Sequence, residues 1–96
     1  MTNIREVLTK LESLRPELQR RYKVREIGIF GSWVRGEHET SDIDVLVDFE
    51  EGADLFDWVG LALYLEEIFG CPVDVVPRRA LRPEIREAVL EQVVKV

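Results

Sequence analysis

The segment from Asp42 to Phe49 constrains the fold most strongly, because acidic and apolar residues alternate at its start and an apolar run follows. In an extended strand successive side chains point to opposite faces, so Asp42 and Asp44 project to one side while Ile43 and Val45 project to the other. The sequence therefore predicts a strand with one face for a core and one face that carries two carboxylates.

The other elements are predicted from apolar spacing and from the positions of glycine and proline. Helices are indicated where apolar residues recur every three or four positions, and strands where a short run is rich in β-branched residues. In chain order the predicted elements are a helix over Ile4–Leu18, a strand over Val24–Phe30, a short helix over Ser32–Gly36, the strand Asp42–Phe49, a helix from Asp54 to Phe69, a strand over Val73–Val76 and a helix from Pro83 to Val93. This order predicts an α/β (α+β) fold, a small mixed sheet of about three strands flanked by helices, in a single domain over residues 1–96.

The spacing of apolar residues in the helix that begins at Asp54 predicts which side faces inward. Five positions are expected to face the core: Leu55, Val59, Ala62, Leu65 and Phe69. Three apolar residues fall partly off that stripe: Phe56, Leu61 and Leu63. We interpret these three as a candidate interface, since a domain this small gains stability from a homo- or hetero-oligomer.

The charge balance argues against a protein that grips nucleic acid by itself. Thirteen Lys and Arg stand against 19 Asp and Glu, a formal net charge of −6, and the one dense basic cluster is Arg78-Arg79 with Arg82. The single cysteine, Cys71, allows no intramolecular disulfide, and no segment is apolar enough for a signal peptide or a membrane span. We expect a cytoplasmic protein without direct contact to nucleic acid or membrane.

Three aspartates are candidate metal ligands. Asp42 and Asp44 would lie side by side, where like charges repel unless a cation or a proton lies between them. Mg²⁺ suits such a pair, because it prefers a few carboxylates together with substrate phosphates. Asp74 is the candidate third ligand, since it interrupts the apolar run Val73–Val76. Asp48 lies farther along the first strand and is expected to be solvated or salt-bridged.

The pair Gly31-Ser32, at the end of the first predicted strand, is a candidate phosphate-binding turn. Glycine permits close approach of the backbone, and the serine would open a short helix whose free N–H groups favour an anion. Arg35, on the first turn of that helix, either reaches a phosphate oxygen or pairs with Glu37. A phosphate cradle would then face a metal cage, an arrangement that suits transfer of a nucleotide.

The segment GIFGSWVRGEHETSDIDVLVDFE, with VDVV downstream, resembles the minimal nucleotidyltransferases of the DNA polymerase beta superfamily. Their signature is Gly-Ser, a spacer, Asp-any-Asp and a later strand aspartate. The likeness in element order spans nearly the full chain, although the spacer Trp33–Ser41 is one residue shorter than the commoner form. A one-residue change in a surface loop is energetically mild, so the resemblance stands.

The resemblance implies a role for each matching residue. Gly31 and Ser32 would contact the phosphates of ATP or another nucleoside triphosphate. Asp42 and Asp44 would bind both of two Mg²⁺ ions. Asp74 would be the third carboxylate and would help to activate the acceptor hydroxyl.

The resemblance also implies a partner. Members of this family commonly stand beside an all-helical ribonuclease toxin of the HEPN type and act as its antitoxin, and some transfer AMP from ATP to a tyrosine of that toxin. We therefore expect a Mg²⁺-dependent protein adenylyltransferase whose acceptor is a HEPN-type protein. Two alternatives stay open: a non-catalytic antitoxin that neutralises its partner by forming a complex, and transfer to a small molecule such as an aminoglycoside.

Overall fold

The computed structural model describes residues 3–36 and 42–96, which form an open mixed sheet with helices packed on it. The elements are α1 (Ile4–Tyr22), β1 (Val24–Phe30), β2 (Ile43–Phe49), α2 (Leu55–Phe69), β3 (Val73–Pro77), α3 (Pro83–Gln92) and β4 (Val94–Lys95). The strand order is β3-β2-β1-β4; β1 runs antiparallel to β2 and to β4, whereas β2 and β3 are parallel. The predicted α/β class is confirmed.

The sheet has four strands in the described residues, so the expectation of about three was one short. The added strand, β4, spans two residues, and its pairs with β1 are Lys95 with Gly28 and Val94 with Ile29. A strand of two residues is too short to show the alternation that identifies a strand from sequence. The predicted last helix therefore extends to Val93, one residue beyond the end of α3. A Cβ on Gly28 would lie 2.8 Å from the Val94 carbonyl oxygen, so a glycine at this position allows β4 to approach closely.

The core lies between the sheet and the helices α1 and α2. Three of its β2 members, Ile43, Val45 and Val47, have no exposed surface. From α1 the buried side chains are Val7, Leu11 and Leu18, as the predicted stripe requires. Helix-capping side chains set where the helices start: Asn3 accepts a hydrogen bond from the Glu6 amide at 3.0 Å.

Helix α2 is rotated relative to the orientation predicted from spacing. Its buried residues are Leu61, Leu65 and Phe69, whereas Leu55 is 63% exposed and Val59 is 47% exposed. The expectation was therefore wrong for Leu55 and Val59 as core residues and for Leu61 as an interface residue. Because α2 is apolar on most of its sides, the spacing of apolar residues does not determine which side is buried. Packing against α1 and β3 determines it instead.

The outer edge of β3 is protected by side chains of α2. The indole Nε1 of Trp58 donates to the Val75 carbonyl oxygen at 2.9 Å, and Glu66 accepts a hydrogen bond from the Val73 amide at 3.1 Å. These bonds satisfy backbone groups that an edge strand otherwise leaves open. They also hold β3, and with it Asp74, at a defined position beside β2.

None of the helices in residues 3–36 and 42–96 combines the length and the hydropathy that a membrane-spanning helix requires.

Candidate active site

Asp44 lies near the start of β2, on the sheet face opposite the core. It is paired with Phe30 of β1 on one side and with Asp74 of β3 on the other, so the two aspartates are direct neighbours on parallel strands. Neighbouring strands lie about 4.8 Å apart. The structure therefore brings together two of the three predicted carboxylates.

Asp42 is exposed and lies one residue before β2 begins. The next residue, Ile43, donates its amide to the Pro72 carbonyl oxygen at 3.1 Å, which holds this end of β2 against the start of β3. Asp42 also contributes a charge at Asp44 strong enough to raise the Asp44 pKa. The third predicted carboxylate therefore lies near the other two.

The pKa of Asp44 is raised above its ordinary value of 3.8 by several causes. Burial is the largest, and the negative charges of Asp74 and Asp42 act in the same direction. The positive charge of Arg35 opposes them and lowers the Asp44 pKa, so Arg35 acts electrostatically on this carboxylate. An excess of negative charge around a half-buried carboxylate is the environment that a divalent cation relieves.

The donor set fits Mg²⁺ in chemistry, because all three groups are carboxylates and two of them, Asp42 and Asp74, are exposed. Within residues 3–36 and 42–96, no three Asp, Glu, His or Cys side chains already stand close enough together to enclose an ion. Asp42 and Asp74 are exposed side chains, so their rotamers can change when a ligand binds. The metal role of Asp42, Asp44 and Asp74 stays a prediction.

Gly31 forms the other half of the site and lies directly against Asp44. Its backbone has φ +80°, in the left-handed region, and a Cβ placed there would collide with the Asp44 carboxylate. Both observations require glycine at this position. Glycine at this turn thus allows the backbone to lie directly against Asp44, and the predicted contact of Gly31 with phosphate stays a prediction.

The segment after Gly31 is shorter than predicted. Instead of a helix over Ser32–Gly36, a single 3₁₀ turn spans Gly31–Trp33, and the amides of Val34 and Arg35 both donate to the Gly31 carbonyl oxygen at 3.1 and 3.2 Å. A turn of three residues has too few aligned peptides for a helix dipole. Any attraction for phosphate here must come from individual N–H and hydroxyl groups such as that of Ser32, and from Arg35.

Gln92 contacts this turn and was not identified from the sequence. Its side-chain oxygen accepts a hydrogen bond from the Gly31 amide at 2.7 Å, although 61 positions separate the two residues. The contact is made possible by β4, because the pairing of Lys95 with Gly28 brings the end of α3 beside the turn. No local pattern could have revealed this contact, since it depends on a two-residue strand.

Two other predictions have different outcomes. Asp48, on the same face of β2, forms an ion pair with Arg25 at 3.8 Å, which confirms the expected salt-bridged role. The alternative partner of Arg35, Glu37, lies outside the described residues, as does Ser41 at the end of the spacer.

Comparison with known proteins decides the family. A family model described as the nucleotidyltransferase domain matches residues 11–96. The chain belongs to this nucleotidyltransferase family. The protein adenylyltransferase MntA of Thermococcus cleftensis is 45% identical over 97 residues, covering 100% of this chain and 98% of that protein.

Solved structures extend the comparison to this nucleotidyltransferase fold. A structure described as a minimal nucleotidyltransferase has a TM-score of 0.76 at 40% identity, covering 93% of this chain and 95% of that one. A chain of a toxin–antitoxin structure with AMP-PNP has a TM-score of 0.69 at 29% identity, covering 88% of this chain and 70% of that one. The resemblance to minimal nucleotidyltransferases of the polymerase beta superfamily is confirmed.

Proposed function

We propose that this nucleotidyltransferase is a Mg²⁺-dependent protein adenylyltransferase that moves AMP from ATP to a tyrosine hydroxyl of a HEPN-type protein, and thereby acts as an antitoxin. The observation that carries the proposal is the contact between the Gly31 turn and Asp44, with Asp74 on the adjacent strand. A phosphate at the turn would lie beside the carboxylates. Transfer of a nucleotidyl group requires that proximity.

The proposed roles divide the site into a phosphate half and a carboxylate half. Ser32 donates to the β- and γ-phosphates, Gly31 lets them approach the turn because it carries no side chain, and Arg35 neutralises part of their charge. Asp42 and Asp44 hold two Mg²⁺ ions, and Asp74 joins them as the third carboxylate. Bound metal supplies charge neutralisation and polarises the α-phosphorus.

The proposed reaction forms one bond and breaks one. The acceptor oxygen attacks the α-phosphorus of ATP, and the bond from that phosphorus to the bridging oxygen of the β-phosphate breaks, so pyrophosphate leaves and AMP stays on the acceptor. Asp74 accepts the hydroxyl proton, because it is exposed and stands directly beside Asp44. The proton then passes to solvent.

The similar proteins support this choice of nucleotide and acceptor. The closely related MntA is a protein adenylyltransferase, and the matching toxin–antitoxin structure contains AMP-PNP, an analogue of ATP. The net charge of −6 disfavours a nucleic-acid acceptor. A protein acceptor agrees with both observations.

The test is transfer of label from [α-³²P]ATP to the HEPN-type protein of the same genome in the presence of Mg²⁺. We expect labelling by the wild type, loss of at least about 10³-fold in rate for Asp42→Asn with Asp44→Asn, and loss of labelling when EDTA removes the metal. Asp48→Asn is the matched control, since it lies on the same face of β2 but in an ion pair with Arg25. Labelling that survives the double replacement would exclude the proposed site.

A non-catalytic antitoxin is the second candidate, and the apolar outer side of α2 favours it. In that case the Asp42→Asn, Asp44→Asn variant would protect cells from the toxin as well as the wild type does. If catalysis is the mechanism, protection is lost while the two proteins still bind each other. Growth of cells that express the toxin with each variant separates the two candidates.

A further inference from the structure

Helix α2 carries the most apolar exposed surface in the described part of the chain. Among residues 3–36 and 42–96, seven large apolar side chains are exposed, and five of them belong to α2: Leu55, Phe56, Trp58, Val59 and Leu63. Phe56 is 84% exposed and Leu63 is 61% exposed. Contiguous exposure of this kind marks an interaction site more often than a chance distribution of surface residues does.

The spacing of these residues indicates the shape of the surface. Phe56, Val59 and Leu63 follow one another at intervals of three and four, and Leu55 lies four before Val59, so the four form one ridge along the helix. These four residues, Leu55, Phe56, Val59 and Leu63, are the outer face of α2. Such a ridge packs best against the groove of another helix, at an angle set by the same three- and four-residue rows.

The charges around the ridge identify the kind of partner. Helix α2 contains no Lys or Arg, while Asp54 and Glu51 are exposed at its start and Glu67 is exposed at its end. Two cations of other elements lie near its start: Lys23 pairs with Asp57 at 3.8 Å, and Arg79 lines one cavity together with Leu55. Carboxylates still predominate along the helix, and each copy of this chain has a net charge of −6, so a second copy is disfavoured as the occupant. A partner helix whose apolar face is bordered by Lys and Arg would instead meet opposite charges at both ends.

We propose that the outer face of α2 docks a helix of the acceptor protein, one with an apolar centre and a rim of Lys and Arg. This proposal rests on the proposed function for the existence of that acceptor. The location suits the reaction, because α2 packs on β3, and Glu66 bonds to Val73, the residue before Asp74. A protein lying along α2 therefore borders the outer edge of β3, and a short segment of it would reach around that edge to the aspartates.

The experiment is a titration of the full chain with the HEPN-type protein of the same genome, without ATP, followed by calorimetry or biolayer interferometry. The variant Phe56→Ser with Leu63→Ser should weaken binding at least about tenfold, because it removes two exposed apolar anchors without disturbing the core. Ile85→Ser is the matched control: Ile85 is 49% exposed but belongs to α3. Glu67→Lys should also weaken binding relative to the wild type, since it places a cation opposite the basic rim. Its loss of affinity should be larger at low salt concentration than at high salt concentration, because salt screens the repulsion.

Three outcomes would overturn the proposal: no binding by the wild type, a Kd of the double variant equal to that of the wild type, or a wild-type dimer that the double variant abolishes. Thermal midpoints equal to that of the wild type confirm that each variant is folded. The Asp42→Asn, Asp44→Asn variant separates this proposal from the proposed function. If it binds as tightly as the wild type while the wild type transfers no AMP, the docking surface stands and the proposed function fails.

Discussion

The two faces of β2 have opposite characters although their residues alternate one by one. On the helix side Val45 has no exposed surface and packs in the core, whereas Asp44, one residue earlier, is half-buried beside Gly31 and Asp74. The face of Val45 stabilises the sheet, whereas the negative charges on the face of Asp44 repel one another and lower the stability of the fold. One strand of seven residues therefore supports both a core and a candidate active site, because its side chains alternate between the two faces.

The largest effect on stability is expected from a charge on the face of β2 that packs against the helices. Val45→Asp would place a carboxylate at a position with no exposed surface, among Ile29, Leu61 and other core residues. Burial of a charge without a partner destabilises a protein by more than about 4 kcal/mol, a large part of the stability of a small domain. Circular dichroism should show an unfolded chain at 25 °C; a folded variant with a wild-type urea midpoint would contradict the assignment of this face.

The next effect concerns the contact between the turn and the aspartate face. Gly31→Ala combines an unfavourable φ with a collision against Asp44, so we expect a loss of about 2–3 kcal/mol in stability and a reduced rate of transfer. Gly52→Ala is the matched control, because Gly52 has φ +92° with nothing within 4 Å of its would-be Cβ. The control isolates the dihedral cost, which is about 1 kcal/mol. Equal effects in urea titrations would mean that the Asp44 contact contributes nothing.

A smaller effect is expected at Gln92, which joins α3 to the same turn. Gln92→Ala removes the acceptor of the Gly31 amide, a loss of about 1 kcal/mol, and should raise the KM for ATP more than it lowers kcat. Gln92→Glu keeps an acceptor oxygen and should restore the slow hydrogen exchange of the Gly31 amide. The neighbouring exposed Glu91→Ala serves as the control; Gly31 exchange that is equally fast in all four proteins would exclude the contact.

The smallest expected effect is a dependence of stability on pH that belongs to the aspartate face alone. The pKa of Asp44 is raised in the folded chain above 3.8, so the folded state binds the proton more tightly than the unfolded state. The free energy of unfolding is therefore higher when Asp44 is protonated, and it falls as the pH rises from 3.8 through the folded pKa. Urea titrations of metal-free protein between pH 3 and pH 7 should show this fall in the wild type and not in Asp44→Asn. A fall of equal size in both proteins would assign it to other groups.

Sequence patterns predicted the features that depend on near neighbours. Alternation placed Asp44 and Val45 on opposite faces, and the strand that contains Asp74 was recognised from its β-branched residues and flanking prolines. The patterns failed where distant parts of the chain decide the outcome. β4 is too short to show a period, and the contact of Gln92 with Gly31 follows from β4.

Helix α2 shows a second reason for failure. Apolar residues occur on most of its sides, so the burial of Leu61 and the exposure of Val59 depend on packing with α1 and β3 rather than on spacing. The metal and phosphate roles of the site residues depend on ligands, which neither the sequence nor the fold supplies. These roles rest on the transfer assay described above.

The central claim is that Asp44 serves chemistry at the expense of stability, and the variant Asp44→Asn tests both parts of it. AMP transfer to the HEPN-type protein and the thermal midpoint at pH 7 without metal would be measured on the same preparation, with Asp48→Asn as control. We predict that Asp44→Asn abolishes transfer and raises the midpoint, since it removes a half-buried charge and its repulsion with Asp74 and Asp42. Transfer at the wild-type rate, or a lowered midpoint together with lost transfer, would contradict the account.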